Sequence, residues 1–201
     1  PPPPHPLFVD ASLNGTPDNT AIRRIGFPWS PQLVPRTLAS AGATLAASSV
    51  ALEQGTSGAL AGGTHHAFHA EGSGYCVFND IAVAISHLRA TTRLTRFAVI
   101  DLDVHQGDGT AHIFSNDPLV FTLSLHGRNN FPFRKQQSTL DVALDDHTTD
   151  AEYLEALDAA LPKVFAFNPE FVFYQSGVDT LKEDTLGKLD LTLNGLAARD
   201  R

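Results

Sequence analysis

The chain has 201 residues, 42% of them hydrophobic, which is enough for one domain with a sizeable core and too few for a second full one. A net charge of −8 without any basic cluster argues against direct nucleic-acid binding, and no apolar stretch is long enough to cross a bilayer. The N-terminus lacks the basic and apolar regions of a signal peptide, and a single cysteine, Cys76, forms no internal disulfide, so the sequence reads as soluble, intracellular and cytoplasmic, or nuclear in a eukaryotic cell.

The chain begins at Pro1 and contains no Met, with which an unprocessed product would start, so the expectation is a piece trimmed at one or both ends. Pro1 to Pro4 is a polyproline-like lead that cannot be helical. His5 to Asn19, with Gly15, Pro17, Asp18 and Asn19, has the composition of a loop. Residues 1–24 therefore read as a proline-rich and loop lead, followed by one domain over residues 25–201. Ile25 to Trp29 (IGFPW) supplies large apolar anchors. Ser30 and Pro31 read as a cap and a first-turn proline, a helix runs from Leu33 to Leu52, and Gly55 and Gly58 stop it.

A short apolar strand, Ala59 to Ala61, then leads through Gly62 and Gly63 to the adjacent histidines His65 and His66. Two readings stay open for them: polar residues of a surface loop, or imidazoles oriented by carboxylates for proton transfer, with Asp101 and Asp108 the spare carboxylates. Asn79 caps a helix from Asp80 to about Leu88, whose Ile81, Ala84, Ile85 and Leu88 recur at helical spacing. His69, His87 and His112 read as structural or surface residues.

The most informative stretch is Phe97 to Phe114, FAVIDLDVHQGDGTAHIF. Its apolar opening suits a strand buried on both faces in a parallel sheet. Asp101, Asp103 and His105 then alternate, which in an extended strand places them on one face. At the carboxyl end of a strand in an open α/β sheet, two carboxylates and an imidazole suit a divalent cation, zinc being a common choice. The competing reading makes them turn and cap residues before the Gly107-Asp108-Gly109 turn. Further on, a strand is expected over Leu119 to Leu125, an irregular rim loop over Arg128 to Asp146, a helix over Asp150 to Phe167, a buried strand over Phe171 to Gln175, and the start of a helix after Leu191.

The segments GGTHHAFHAEGSGYCVFND, VIDLDVHQGDGTAHIF, LSLH and QSGVD resemble the histone deacetylase family of the zinc-dependent arginase/deacetylase superfamily. DVHQGDGTA and GVDTLKEDTLGKLDLT look most like its class IV-like and bacterial members. The resemblance spans about Ile25 to Arg201. It implies an incomplete three-layer α/β/α fold around a mainly parallel sheet, and hydrolysis of an acetyl-lysine amide with release of acetate. Zinc would be held by Asp103, His105 and Asp179. His65 would pair with Asp101 in a mainly electrostatic role, and His66 with Asp108 as general base and acid. Gly74, Tyr75 and Phe131 would line the acyl-lysine tunnel, and a potassium ion would sit among Asp101, Asp103, His105, Ser124 and Leu125. The partner would be an acetylated lysine of a protein or a small acetylated amine such as an acetylpolyamine; oligomeric state is not indicated. The family's transition-state donor, a tyrosine or in some subclasses a histidine in a downstream Gly-rich motif, is not among the residues up to Arg201, so weak or absent turnover is the expectation for the chain as given, the alternative being a metal-binding domain without useful turnover.

Overall fold

Four helices and a parallel sheet with three further helices make up the protein, as a computed structural model describes it over residues 4–15 and 18–201. Residues 1–93 and 94–201 form two compact units. The polyproline expectation for Pro1 to Pro3 lies outside the described residues.

In the first unit, α1 (Pro6–Asn14) corrects the expectation of a loop over residues 5–19. Pro6 occupies the first helical turn, where its missing N–H costs nothing, and Phe8, Val9 and Leu13 have an apolar surface to meet, formed by Ile25, Val77 and Phe78. The short helix is held by that packing, which composition does not reveal. α2 (Asn19–Ile25) is capped by Asp18, whose side chain accepts the Ala21 N–H at 2.7 Å. α3 (Leu33–Gln54) has Gln32 rather than Ser30 at its cap position and leaves Pro31 in the turn before it, where Ser30 accepts the Leu33 N–H at 3.2 Å; the helix ends at Gly55. Ala59 to Ala61 is not a strand, and Leu60 is fully exposed: three apolar residues with no partner strand have nothing to pair with. α4 (Asp80–Thr91) starts at Asn79, whose side chain accepts the Ala82 N–H at 2.9 Å, and packs against α3.

The second unit is built on four parallel strands in the order β3-β2-β1-β4. β1 (Phe97–Asp101) is buried at every position, as a central parallel strand must be. α5 (Asp108–Phe114) connects it to β2 (Val120–Gly127). β3 (Leu140–Leu144) corrects the reading of 128–146 as wholly irregular: Leu140, Val142 and Leu144 alternate with Asp141 and Ala143 and pair with β2. α6 (Asp150–Ala166) opens with a capping box between Thr149 and Glu152, and its Tyr153, Leu157, Ala160 and Val164 face the sheet. β4 (Phe171–Gln175) is an edge strand rather than a fully buried one, with Val172 and Tyr174 exposed. α7 (Leu193–Arg199) is capped by Thr192, which Asp150 in turn binds.

The core below the sheet takes Ala98, Ile100, Leu102 and Val104 from β1 and its continuation, together with Leu123, Leu125, Leu189 and Leu191. Alternation therefore sends Phe97, Val99 and Asp101 to the other face. β1 pairs with β2 and β4 in register, Asp101 lying beside Ser124 on one side and Gln175 on the other. The chain thus leaves β1 and β4 at one level of the sheet, so the loops after the two strands start side by side.

Candidate metal centre

Asp103, His105 and Asp179 offer one ligand atom each, and these atoms lie within 4.8 Å of one another. Among the described residues they form the one group of side chains able to hold a metal ion. Asp103 and His105 come from the loop after β1 and Asp179 from the loop after β4. The strand expected to run through His105 stops at Asp101. Beyond it the chain makes two turns closed by side chains: Asp101 Oδ1 accepts the Asp103 N–H at 3.2 Å, and Asp103 Oδ1 accepts the His105 N–H at 2.8 Å. Asp103 and His105 still share a side, with His105 Nδ1 2.9 Å from Asp103 Oδ1 and 3.0 Å from Asp179 Oδ2. Asp101 does not join the trio.

The second loop is drawn onto the first by backbone contacts. Asp179 Oδ1 accepts the Val104 N–H at 2.9 Å. Gly177 lies so close to the first loop that a Cβ there would stand 2.6 Å from the Cα of Asp103, so only glycine allows the approach.

Burial alone would lower the pKa of His105, but hydrogen bonds and charge from Asp103 and Asp179 outweigh it and raise it to about 9. Burial raises the carboxyl of Asp179, as does the negative charge of Asp103, against the hydrogen bond from His105. The cluster thus favours positive charge between two carboxylates. With side-chain exposures of 16% for His105, 19% for Asp103 and 20% for Asp179, it is neither a solvated surface cluster nor sealed. Three O/N/O donors in this partly buried setting fit a divalent cation such as zinc.

The tandem histidines belong to the first unit. His65 and His66 are buried, with ring centroids 4.1 Å apart, which removes the surface-loop reading. Asp80, a residue sequence reasoning read only as the start of a helix, holds the loop in front of them. Its carboxylate accepts the N–H of Gly63 and Thr64 and the hydroxyls of Thr44 and Thr64, at 2.6 to 2.9 Å. Asn79 adds a bond from its amide to the Ala67 carbonyl at 3.2 Å. Gly74 packs against His66: a Cβ there would meet the ring at 2.6 Å, and its φ is +51°. Tyr75, at φ 64°, is exposed and stacks near Phe27, with ring centroids 5.0 Å apart.

In the second unit, Asp101 is buried at the end of β1 and Asp108 at the start of α5. Phe131 is partly exposed in the loop between β2 and β3. Gln106, next to His105 and 1% exposed, ties that loop down: its amide donates to the Gln136 carbonyl and to Asp141, and its oxygen accepts the Gln136 N–H, each at 2.8 Å. Of the residues expected at a potassium site, Ser124 is buried with its Oγ 3.0 Å from His126 Nδ1, and Leu125 is fully buried. Gln106, His126 and Asp80 lie within the segments that carry the family resemblance, but local spacing assigns them no role: Gln106 and Asp80 act through partners distant in the chain, and His126 through its burial beside Ser124.

The family model for the histone deacetylase domain matches residues 10–201. The chain belongs to the histone deacetylase family. An uncharacterized protein of Picosynechococcus is 47% identical over 98% of this chain and 66% of its own length. Histone deacetylase 2 of Arabidopsis thaliana is 36% identical over 79% of this chain and 42% of its own. The crystal structure of a histone deacetylase homolog from Aquifex aeolicus superposes with a TM-score of 0.87 at 27% identity, over 98% of this chain and 59% of that one. The fold is thus the three-layer α/β/α, arginase/deacetylase-like class. The chain spans less than two thirds of the length of each of these histone deacetylase relatives.

Asp80→Asn replaces an acceptor-only carboxylate by an amide that faces donors, and should cost about 2 to 4 kcal/mol in urea unfolding, with faster hydrogen exchange at Gly63 and Thr64. Unchanged stability and exchange would show that the carboxylate does not hold the loop. His126 is held down to about 4 by burial, with Lys135 and Arg128 adding to the effect and Asp141 opposing it. Between its ordinary 6.5 and that value the unfolded chain binds more protons, so the stability contribution is full above 6.5 and falls as pH drops toward 4. The fall amounts to up to about 1.4 kcal/mol per pH unit. His126→Gln should flatten it in urea titrations; an identical slope in the variant would contradict a buried neutral His126.

Proposed function

We propose that the protein is a zinc-dependent amide hydrolase that removes the acetyl group from an acetylated lysine and releases acetate. The observation that carries this reading is the convergence of Asp103, His105 and Asp179 at the ends of two neighbouring parallel strands, in a chain of the histone deacetylase family. These residues would hold zinc, which when bound polarises the acetyl carbonyl and lowers the pKa of water beside it. His66, oriented by Asp108, takes a proton from the attacking water and returns it to the departing amine. His65, paired with Asp101, contributes mainly electrostatic support. Gly74, Tyr75 and Phe131 wall the lysine stem, and the contact between Gly74 and the His66 ring favours this, because it makes the stem's wall and the base neighbours. Potassium belongs to the same reading, held by Asp101, Asp103, His105, Ser124 and Leu125 partly through carbonyls.

Purified protein should carry about one zinc per chain, and Asp179→Ala should lose most of it. His66→Ala should keep the metal and slow acetate release from an acetyl-lysine peptide by about 100- to 10,000-fold. Wild-type zinc content in Asp179→Ala, or undiminished turnover in His66→Ala, would reject the assignment. Preference for an acetylated polyamine over the peptide would reject the lysine substrate in favour of a small amine.

A further inference from the structure

Arg199, in the last turn of α7, would pass in the sequence for an ordinary cation at a helix C-terminus. Its side chain is 0% exposed, and most of its donors leave the helix. Nη1 donates to the Gly177 carbonyl at 2.6 Å, with longer bonds to the Leu102 carbonyl at 3.3 Å and to Thr180 Oγ1 at 3.4 Å. Nη2 donates to Ser176 Oγ at 2.8 Å. Nε and Nη2 also reach Asp200, at 2.7 and 3.2 Å, and that carboxylate accepts the hydroxyls of Tyr174 and Ser176 as well.

The acceptors are not scattered. Leu102 immediately precedes the ligand Asp103, while Ser176, Gly177 and Thr180 bracket the ligand Asp179. One planar fork therefore spans both ligand loops from the side of α7. Packing of Gly177 on Asp103 and the Val104 N–H bond to Asp179 Oδ1 join the loops at single points, but neither braces them from a second side. A rigid fork with carbonyl acceptors on both loops does. We propose that Arg199 is a positioning residue that fixes the separation of Asp103 from Asp179 and thereby sets the metal affinity of the centre. This rests on the reading of Asp103, His105 and Asp179 as metal ligands.

Lysine cannot replace the fork, because its ammonium offers donors from one point. Asp200 touches neither ligand loop's backbone in these bonds, yet it aims the guanidinium, and it is exposed enough for its replacement to be tolerated. Val77, in the apolar cluster of the first unit, serves as the control, since its truncation lowers stability and that cluster contains no residue of either ligand loop.

The test is zinc affinity, by competition with a chromophoric chelator, and the visible absorption of the cobalt-loaded protein, for wild type, Arg199→Lys, Asp200→Asn and Val77→Ala. Arg199→Lys should weaken zinc binding about 10- to 100-fold and change the intensity of the cobalt bands, because outer partners of a metal site act on this scale. Asp200→Asn should shift both in the same direction by less, and decides the matter if Arg199→Lys does not fold. Val77→Ala should lower the thermal midpoint and leave affinity and spectrum as in wild type. Wild-type affinity in Arg199→Lys and Asp200→Asn, or an equal loss in Val77→Ala, would overturn the positioning role while leaving the metal centre standing. A wild-type protein that binds no zinc would overturn the centre and this role with it.

Discussion

The N–H of Val104 donates to the carboxylate of Asp179 at 2.9 Å, and that bond joins the loops after β1 and β4 that carry Asp103, His105 and Asp179. The strands are parallel and paired from Phe97 and Phe171 to Asp101 and Gln175, so both chains leave the sheet side by side. The apolar side chains of Ala98, Ile100, Leu102 and Val104 lock β1 onto α6 from below, which leaves the alternate positions to chemistry. Gly177 lets the second loop touch the first. The general rule that open α/β sheets bind ligands beyond the carboxyl ends of their strands has here a specific cause, a backbone donor of one loop captured by the carboxylate of the other.

That arrangement has an electrostatic consequence. Two carboxylates partly removed from water repel each other, and the fold supplies no lysine or arginine among the ligand atoms to balance them. Within this group the compensating side chain is His105, whose imidazole is raised to about 9 by both carboxylates in spite of burial. Ligand deprotonation and metal binding are linked in such a cluster, because proton and divalent cation satisfy the same demand for positive charge. Gln106, immediately after His105, passes the same order on to the loop that carries Phe131.

Much of this is written in local sequence. The buried run Phe97 to Ile100, the Asn79 cap and the apolar face of α6 all follow from period and capping chemistry, because each is decided within one element. The alternation of Asp103 and His105 points to a shared side, and the two residues do share one, though a pair of side-chain turns produces it rather than a continuous strand. The turn reading and the ligand reading of these aspartates are therefore compatible: one oxygen of Asp103 closes a turn, and the side chain still faces His105. Asp179 is different. Nothing near it in the chain marks it, and only the resemblance of QSGVD to the family singles it out before the fold brings it to His105. α1 and β3 escape a reading of the sequence for a related reason, since Phe8 and Val9 on one side and Val142 on the other have weak local patterns and are ordered by partners far along the chain. The same holds for Asp80, whose four bonds look from sequence like a plain first-turn acid.

The most direct measurement is an anomalous-difference map collected at the zinc absorption edge from crystals of the protein grown with zinc. A single strong peak between the side chains of Asp103, His105 and Asp179 is expected. A map with no peak there, or with zinc held by other residues while these three side chains stay paired with one another, would contradict the metal centre.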